Sequence, residues 1–259
     1  MKKGMPFFCL GVIMLLCSTA AYAQQPMTVK MTKGVAQITS LRGEAKAICM
    51  DQTDPRQLKK NDRLSAGCEV STSANSRLEM LLPDRSIVRF SEKTKFKLIQ
   101  SDVGQDGKRT IKISVPVGKV WTNVRKALKS RDNTFEVSCQ NAVAGVRGTV
   151  YRMDVENDQS AQVKVYDGEV DVRGNSRTQD ATAPHPAAFG PPKPVSGPTA
   201  VAGPQPVSME QWVYIVKSMQ KIRISADGQA HAPEDFTEEE DMDDWVKWNR
   251  QRDKKTISE

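Results

Sequence analysis

The chain has 259 residues, a formal net charge of +7 and only two histidines. So small a supply of the commonest acid–base and metal-binding side chain argues against most hydrolytic and metal chemistry. No Gly-x-Ser-x-Gly, phosphate loop or dinucleotide fingerprint is present, so no enzyme, cofactor or metal site is expected.

At the N-terminus, Lys2 and Lys3 precede an apolar run from Phe7 to Cys17, and Ala21-Tyr22-Ala23 forms a small-x-small site before Gln24. This reads as a cleavable signal over residues 1–23, since the apolar run is too short to span a bilayer. Cys17 follows Leu15 and Leu16, where a lipidation site wants small residues. No later segment has the length and apolarity of a transmembrane helix. The exported chain keeps Cys49, Cys68 and Cys139, an odd number for an oxidising compartment. A Cys49–Cys68 bridge and three buried thiols both fit the sequence.

Residues 34–174 read as short strands. Phe96 and Leu98 alternate with Lys95 and Lys97; Ile111, Ile113 and Val115 alternate with Lys112 and Ser114. The loop at 102–107 joins these two as a hairpin. Phe135, Val137 and Cys139 alternate with Glu136 and Ser138. Further on, Val163, Val165, Val170 and Val172 share one face, and the Asp167-Gly168 link predicts a type I′ hairpin pairing Val165 with Val170. Many short strands without a helical period imply an all-β sandwich or roll. Between two such runs stands Val146-Arg147-Gly148-Thr149, where glycine permits a bend and Arg147 is either an ion-pair anchor or an exposed contact.

Taken in order, these pieces resemble the FecR domain. The likeness rests on Gly43-Glu44-Ala45, Leu58 to Leu64, Leu81 to Ser86, Ser114 to Val120, Phe135 to Tyr151 and Val163 to Val172, and covers roughly residues 34–174. Cys139-Gln140 replaces the family's Thr-Pro, and Asn61 and Arg85 stand where it has glycines. Leu82-Pro83-Asp84-Arg85 suits a type I turn, which needs no positive φ at Arg85. The resemblance implies a jelly-roll-like β-sandwich, a bacterial source and a periplasmic address. It assigns Val146, Arg147, Gly148, Thr149, Asp167 and Gly168 to a structural signature.

Charge is uneven. Residues 24–180 carry 27 Lys or Arg against 19 Asp or Glu, whereas residues 208–259 carry 8 against 12. The basic residues of the body are scattered, which fits outward strand faces and gives no expectation of nucleic-acid binding. Their densest group, Arg125, Lys126, Lys129 and Arg131 after Trp121, is the candidate contact for an anionic envelope polymer.

Eight prolines among Ala and Gly make residues 181–207 a semi-extended linker. Residues 208–259 are expected to be a helical tail. Ser208 and Gln211 suggest a capping box before Trp212, Ile215, Val216, Met219 and Ile222 at helical spacing. Thr237 and Glu240 suggest a second box before Met242, Trp245, Val246 and Trp248. The tail concentrates Trp212, Trp245 and Trp248 on too little mass to bury them, so they are its expected docking residues.

The expected role is a non-catalytic binding or scaffolding module of the envelope, with an envelope protein or anionic polymer as partner. The alternative is an accessory sensing protein related to sigma-factor regulators. FecR itself, a membrane regulator of iron-citrate transport, carries a cytoplasmic segment and a membrane helix, in whose place this chain has a signal. A hydrolase built on carboxylates such as Asp62, Glu79 and Asp84 ranks last.

Overall fold

The computed structural model describes residues 32–50, 53–104, 108–126, 133–146, 148–175 and 212–257. The expected signal (1–23) and linker (181–207) lie outside these residues. The first strands are β1 (Thr32–Lys33), β2 (Ala36–Arg42), β3 (Ala45–Ile48), β4 (Arg56–Gln57), β5 (Arg63–Leu64) and β6 (Glu69–Thr72). Next come β7 (Arg77–Leu81), β8 (Ile87–Phe90), β9 (Lys95–Val103), β10 (Arg109–Asn123), β11 (Thr134–Ser138) and β12 (Ala142–Val146). The chain ends with β13 (Val150–Val155), β14 (Ala161–Asp167), β15 (Glu169–Gly174), β16 (Val213–Lys217), β17 (Gln220–Ile224), β18 (Glu234–Asp235) and the helix α1 (Asp244–Ile257).

The strands form two sheets. A back sheet runs β4-β3-β6-β9-β10-β11-β12-β15-β16, with β1 beside the far end of β9. The front sheet runs β5-β2-β7-β8-β10-β13-β14-β17-β18. Strand β10 serves both: Arg109–Val117 pairs in the back sheet and Gly118–Asn123 in the front. Apolar residues alternate along the strands and turn inward from both sheets into one core. Met80, Phe90, Val120, Met153 and Ile222 meet Phe96, Ile113, Phe135, Val172 and Val216 there, and Phe90 stacks on Phe96 at 3.6 Å. The all-β sandwich expected from the alternation is what forms.

Two local expectations are corrected. The Asp167-Gly168 link closes no hairpin: β14 pairs with β13 and β17, whereas β15 pairs with β12 and β16. Gly168, at φ 86°, turns the chain from one sheet to the other. All four valines are still buried, because alternation fixes the face of a strand but not its neighbour. Arg85 and Asn61 take the left-handed conformation of the glycines they replace, with φ 65° and 72°. The turn does begin as expected, since Arg85 N–H donates to the Leu82 carbonyl at 2.9 Å.

The first half of the expected helical tail is two β-strands, one added to each sheet. β16 extends the back sheet beside β15 and β17 extends the front sheet beside β14, placing Val216, Ile222 and Ile224 in the core. The segment's apolar residues fit both periods, and two open sheet edges decide between them. The β body therefore continues past residue 208. Thr237 and Glu240 do exchange capping-box hydrogen bonds (3.2 and 3.3 Å), but α1 begins later. Its cap is Asp243, whose carboxylate accepts from the Val246 N–H at 2.7 Å.

Cys49 and Cys68 are joined in a disulfide just beyond the last β3–β6 pair, Ile48 with Glu69. Cys139 is a buried thiol, and burial raises its pKa.

Candidate functional site

Part of the outer face of the front sheet is buried, because α1 and the turn before it lie across its middle strands. Five adjacent strands contribute one outward residue each, in register: Glu79 on β7, Arg89 on β8, Trp121 on β10, Arg152 on β13 and Lys164 on β14. Cross-strand neighbours on one face stand close enough for direct contact, so the five form a continuous row.

The C-terminal segment answers this row charge by charge. Arg89, fully buried, donates from Nε to Glu79 and from Nη1 to Asp253, both at 2.7 Å. The other Asp253 oxygen accepts from Trp121 Nε1 at 2.9 Å. Arg252 holds Glu79 with two parallel hydrogen bonds of 2.7 Å, and Thr39 adds a third partner at 2.8 Å. Burial alone would raise the Glu79 pKa; the donors Arg252, Arg89 and Thr39 override it and hold the carboxyl at about 2.

Further along the row, Arg152 pairs with Asp154 (2.8 Å), Asp243 (3.2 Å) and Asp241 (3.3 Å). Asp241 also accepts from Lys164 and from the Tyr166 hydroxyl. Burial works against the Arg152 charge, but the surrounding anionic groups raise its pKa. Asp154 is shifted the other way from Glu79: its burial outweighs Arg152 and raises it.

Aromatic rings fill the space between the charges. Trp121 stacks on Tyr166 at 4.5 Å, and Trp245 on Trp248 at 5.3 Å. Arg77, Arg252 and Arg89 place their guanidinium carbons 5.2, 5.3 and 5.9 Å from the Trp248 ring. Such an arrangement can recognise a segment by charge order and ring position.

The expected docking residues divide. Trp245 is buried in a cluster with Trp121 and Val246, against which Tyr166 and Trp248 pack. Trp212 is elsewhere, packed near Gly174 and donating to the Gly228 carbonyl at 3.1 Å. The polyanion group is described only in part. Trp121 is 1% exposed beneath α1, Arg125 and Lys126 are exposed, and Lys129 and Arg131 lie outside the described residues. A period-2 reading could not foresee this, because it took the outer face of the front sheet to be solvated.

Within the family signature, Val146 is buried and Arg147 lies outside the described residues. Thr149 Oγ1 donates to the Glu169 carbonyl at 2.9 Å, tying the Gly148 bend to the turn at Asp167 and Gly168. Asp62, Glu79 and Asp84 each pair with an arginine: Arg56, Arg89 and Arg109 respectively. Of the two histidines, His231 shares a 2.9 Å hydrogen bond with Ser225 on an exposed loop, and His185 lies outside the described residues. The residues that sequence reasoning missed are Arg89, Arg152, Lys164, Asp241 and Asp253. Their signal was faint: charged residues at outward strand positions and in a C-terminal segment already rich in charge.

Residues 69–171 match the family described as FecR protein. The chain carries a FecR domain. The whole row from Glu79 to Lys164 belongs to the FecR domain, while β16 to β18 and α1 lie beyond the match. Two crystal structures of a candidate anti-sigma factor from Parabacteroides distasonis are similar at 16% and 15% identity, each with a TM-score of 0.41. The likeness covers 64% of this chain and 59% of theirs, so the chain spans about three-fifths of their length. No curated protein matches the sequence.

Proposed function

We propose that this protein is a non-catalytic binding module of the bacterial envelope, exported to the periplasm, in which the FecR domain is a rigid platform. The observation that carries this reading is the row on the front sheet. It is a buried, ordered set of charges and rings whose occupant is held by recognition contacts, with each cation facing an anion. The family likeness supports kinship with envelope-signalling regulators. A sensing role is therefore the second reading, favoured by the FecR match alone.

The deciding experiment is in-cell cross-linking of the tagged full chain, followed by fractionation and mass spectrometry. A periplasmic protein with mature N-terminus Gln24 and one reproducible envelope partner is the expected result. A cytoplasmic chain with Met1 intact would overturn it. Partners confined to a receptor and a sigma-factor regulator would move the assignment to the sensing reading.

A further inference from the structure

The helix α1 is seated mainly by polar and ring contacts. Its most buried positions are Trp245, Val246, Asn249 and Asp253, and only one of the four is aliphatic. An apolar helix lifted from its groove would leave apolar surface in water. Lifting α1 uncovers one large ring, Trp121, while the rest of the row (Glu79, Arg89, Arg152 and Lys164) consists of groups that water solvates well. Such an interface is selective when closed and comparatively easy to open.

Charge order gives the occupant. Reading across the front sheet from β7 to β14, the platform offers an anion, a cation, a ring and two cations: Glu79, Arg89, Trp121, Arg152 and Lys164. The segment answers with Arg252, Asp253, the ring of Trp245, Asp243 and Asp241. The platform half of this code lies within the FecR match, and the answering half lies outside it.

We propose that residues Glu234–Ile257 are an exchangeable latch, and that the row beneath is the docking site for a partner protein's helix carrying carboxylates at both ends of a tryptophan-bearing turn. This inference rests on the reading of the chain as a binding module. The partner's segment would displace residues 234–257 and take over the contacts that Asp253 makes to Arg89 and that Asp241 and Asp243 make to Arg152 and Lys164, so binding and latch release are one exchange.

The probe is a labelled synthetic peptide of residues 234–257, titrated by fluorescence anisotropy into the full chain and into its Trp245→Ala/Trp248→Ala variant. The variant, with a weakened latch and an intact row, should bind at least about tenfold tighter than the unmodified chain. A peptide carrying Asp241→Asn and Asp253→Asn should lose about tenfold or more, a control that leaves the protein's own folding untouched. Hydrogen exchange on the unmodified chain gives a second measurement: amides of α1 should open well before those of β10. No saturable binding to the variant, binding indifferent to the two carboxylates, or α1 amides that exchange only on global unfolding would each overturn the latch. An envelope partner captured by a chain that ignores the peptide sinks the latch and leaves the binding-module reading standing. Peptide binding without any envelope partner sinks that reading instead.

Discussion

Arg89 and Asp253 are 164 residues apart in sequence, yet their side chains meet at 2.7 Å beneath α1. Arg89 is fully buried, and Asp253 is its ion-pair partner on the C-terminal segment, with Asn249 accepting from the same Nη1. Removing Asp253 leaves the buried Arg89 guanidinium with Glu79 alone and takes the acceptor from Trp121 Nε1, which costs more than removing both partners. Asp253→Leu is therefore expected to destabilise the docked state of α1 by about 2 kcal/mol, read as earlier opening of its amides in hydrogen exchange. Adding Arg89→Met should recover part of that loss. A double variant as unstable as the sum of the two singles would show that the pair is not coupled.

Glu79 predicts the acid limit. Its pKa in the folded protein is about 2, against 4.5 when unperturbed. A depressed carboxylate stabilises the fold fully above the unfolded value and loses that contribution as pH falls through the folded one. Stability should thus decline between about pH 4.5 and pH 2, with a Glu79 share on the order of 2–3 kcal/mol. Asp154, with its pKa raised by burial, works in the opposite sense and softens the decline. Glu79→Gln should lower stability at pH 7 and flatten the pH dependence in this window. An unchanged slope would show that Glu79 does not set it.

The disulfide closes a short loop, its cysteines 19 residues apart. Replacing Cys49 and Cys68 with Ala should cost about 2–4 kcal/mol, as expected for a native bridge over such a loop. Thermal melts with and without reductant on the unmodified chain should show the same loss. Equal melting in both conditions would contradict the structural role.

At Arg85, an exposed side chain sits at φ 65°, where glycine pays no steric penalty. Arg85→Gly should stabilise by roughly 0.5–1 kcal/mol, the relief of left-handed strain less the added chain entropy. A drop in the denaturation midpoint would mean that the arginine side chain contributes more than its exposure suggests.

Gly148 predicts the reverse. At φ 65°, a Cβ there would stand 2.2 Å from Lys126 Cγ and 2.9 Å from Lys126 Cα. Gly148→Val should destabilise by about 1–3 kcal/mol or more, through both backbone strain and the clash. An unaltered midpoint would show that the Gly148 bend can relax.

Local pattern made much of the body legible. The alternation at Phe96, Leu98, Ile111, Ile113, Phe135 and Val137 placed inward faces correctly, since side-chain direction in a strand is a property of neighbouring residues. It could not place Val165 beside its partner, because strand pairing is settled by the edges that other strands leave open. The same limit turned Val213–Ile224 from an expected helix into two strands, one added to each sheet: a dozen residues that satisfy both periods carry no local decision. The C-terminal aromatic residues announced a docking helix, and α1 docks. What it docks on was hidden, because Glu79, Arg89, Trp121, Arg152 and Lys164 look like ordinary outward residues one strand at a time. They become a site only when five strands bring them into register and a segment from the far end of the chain excludes water from their charges.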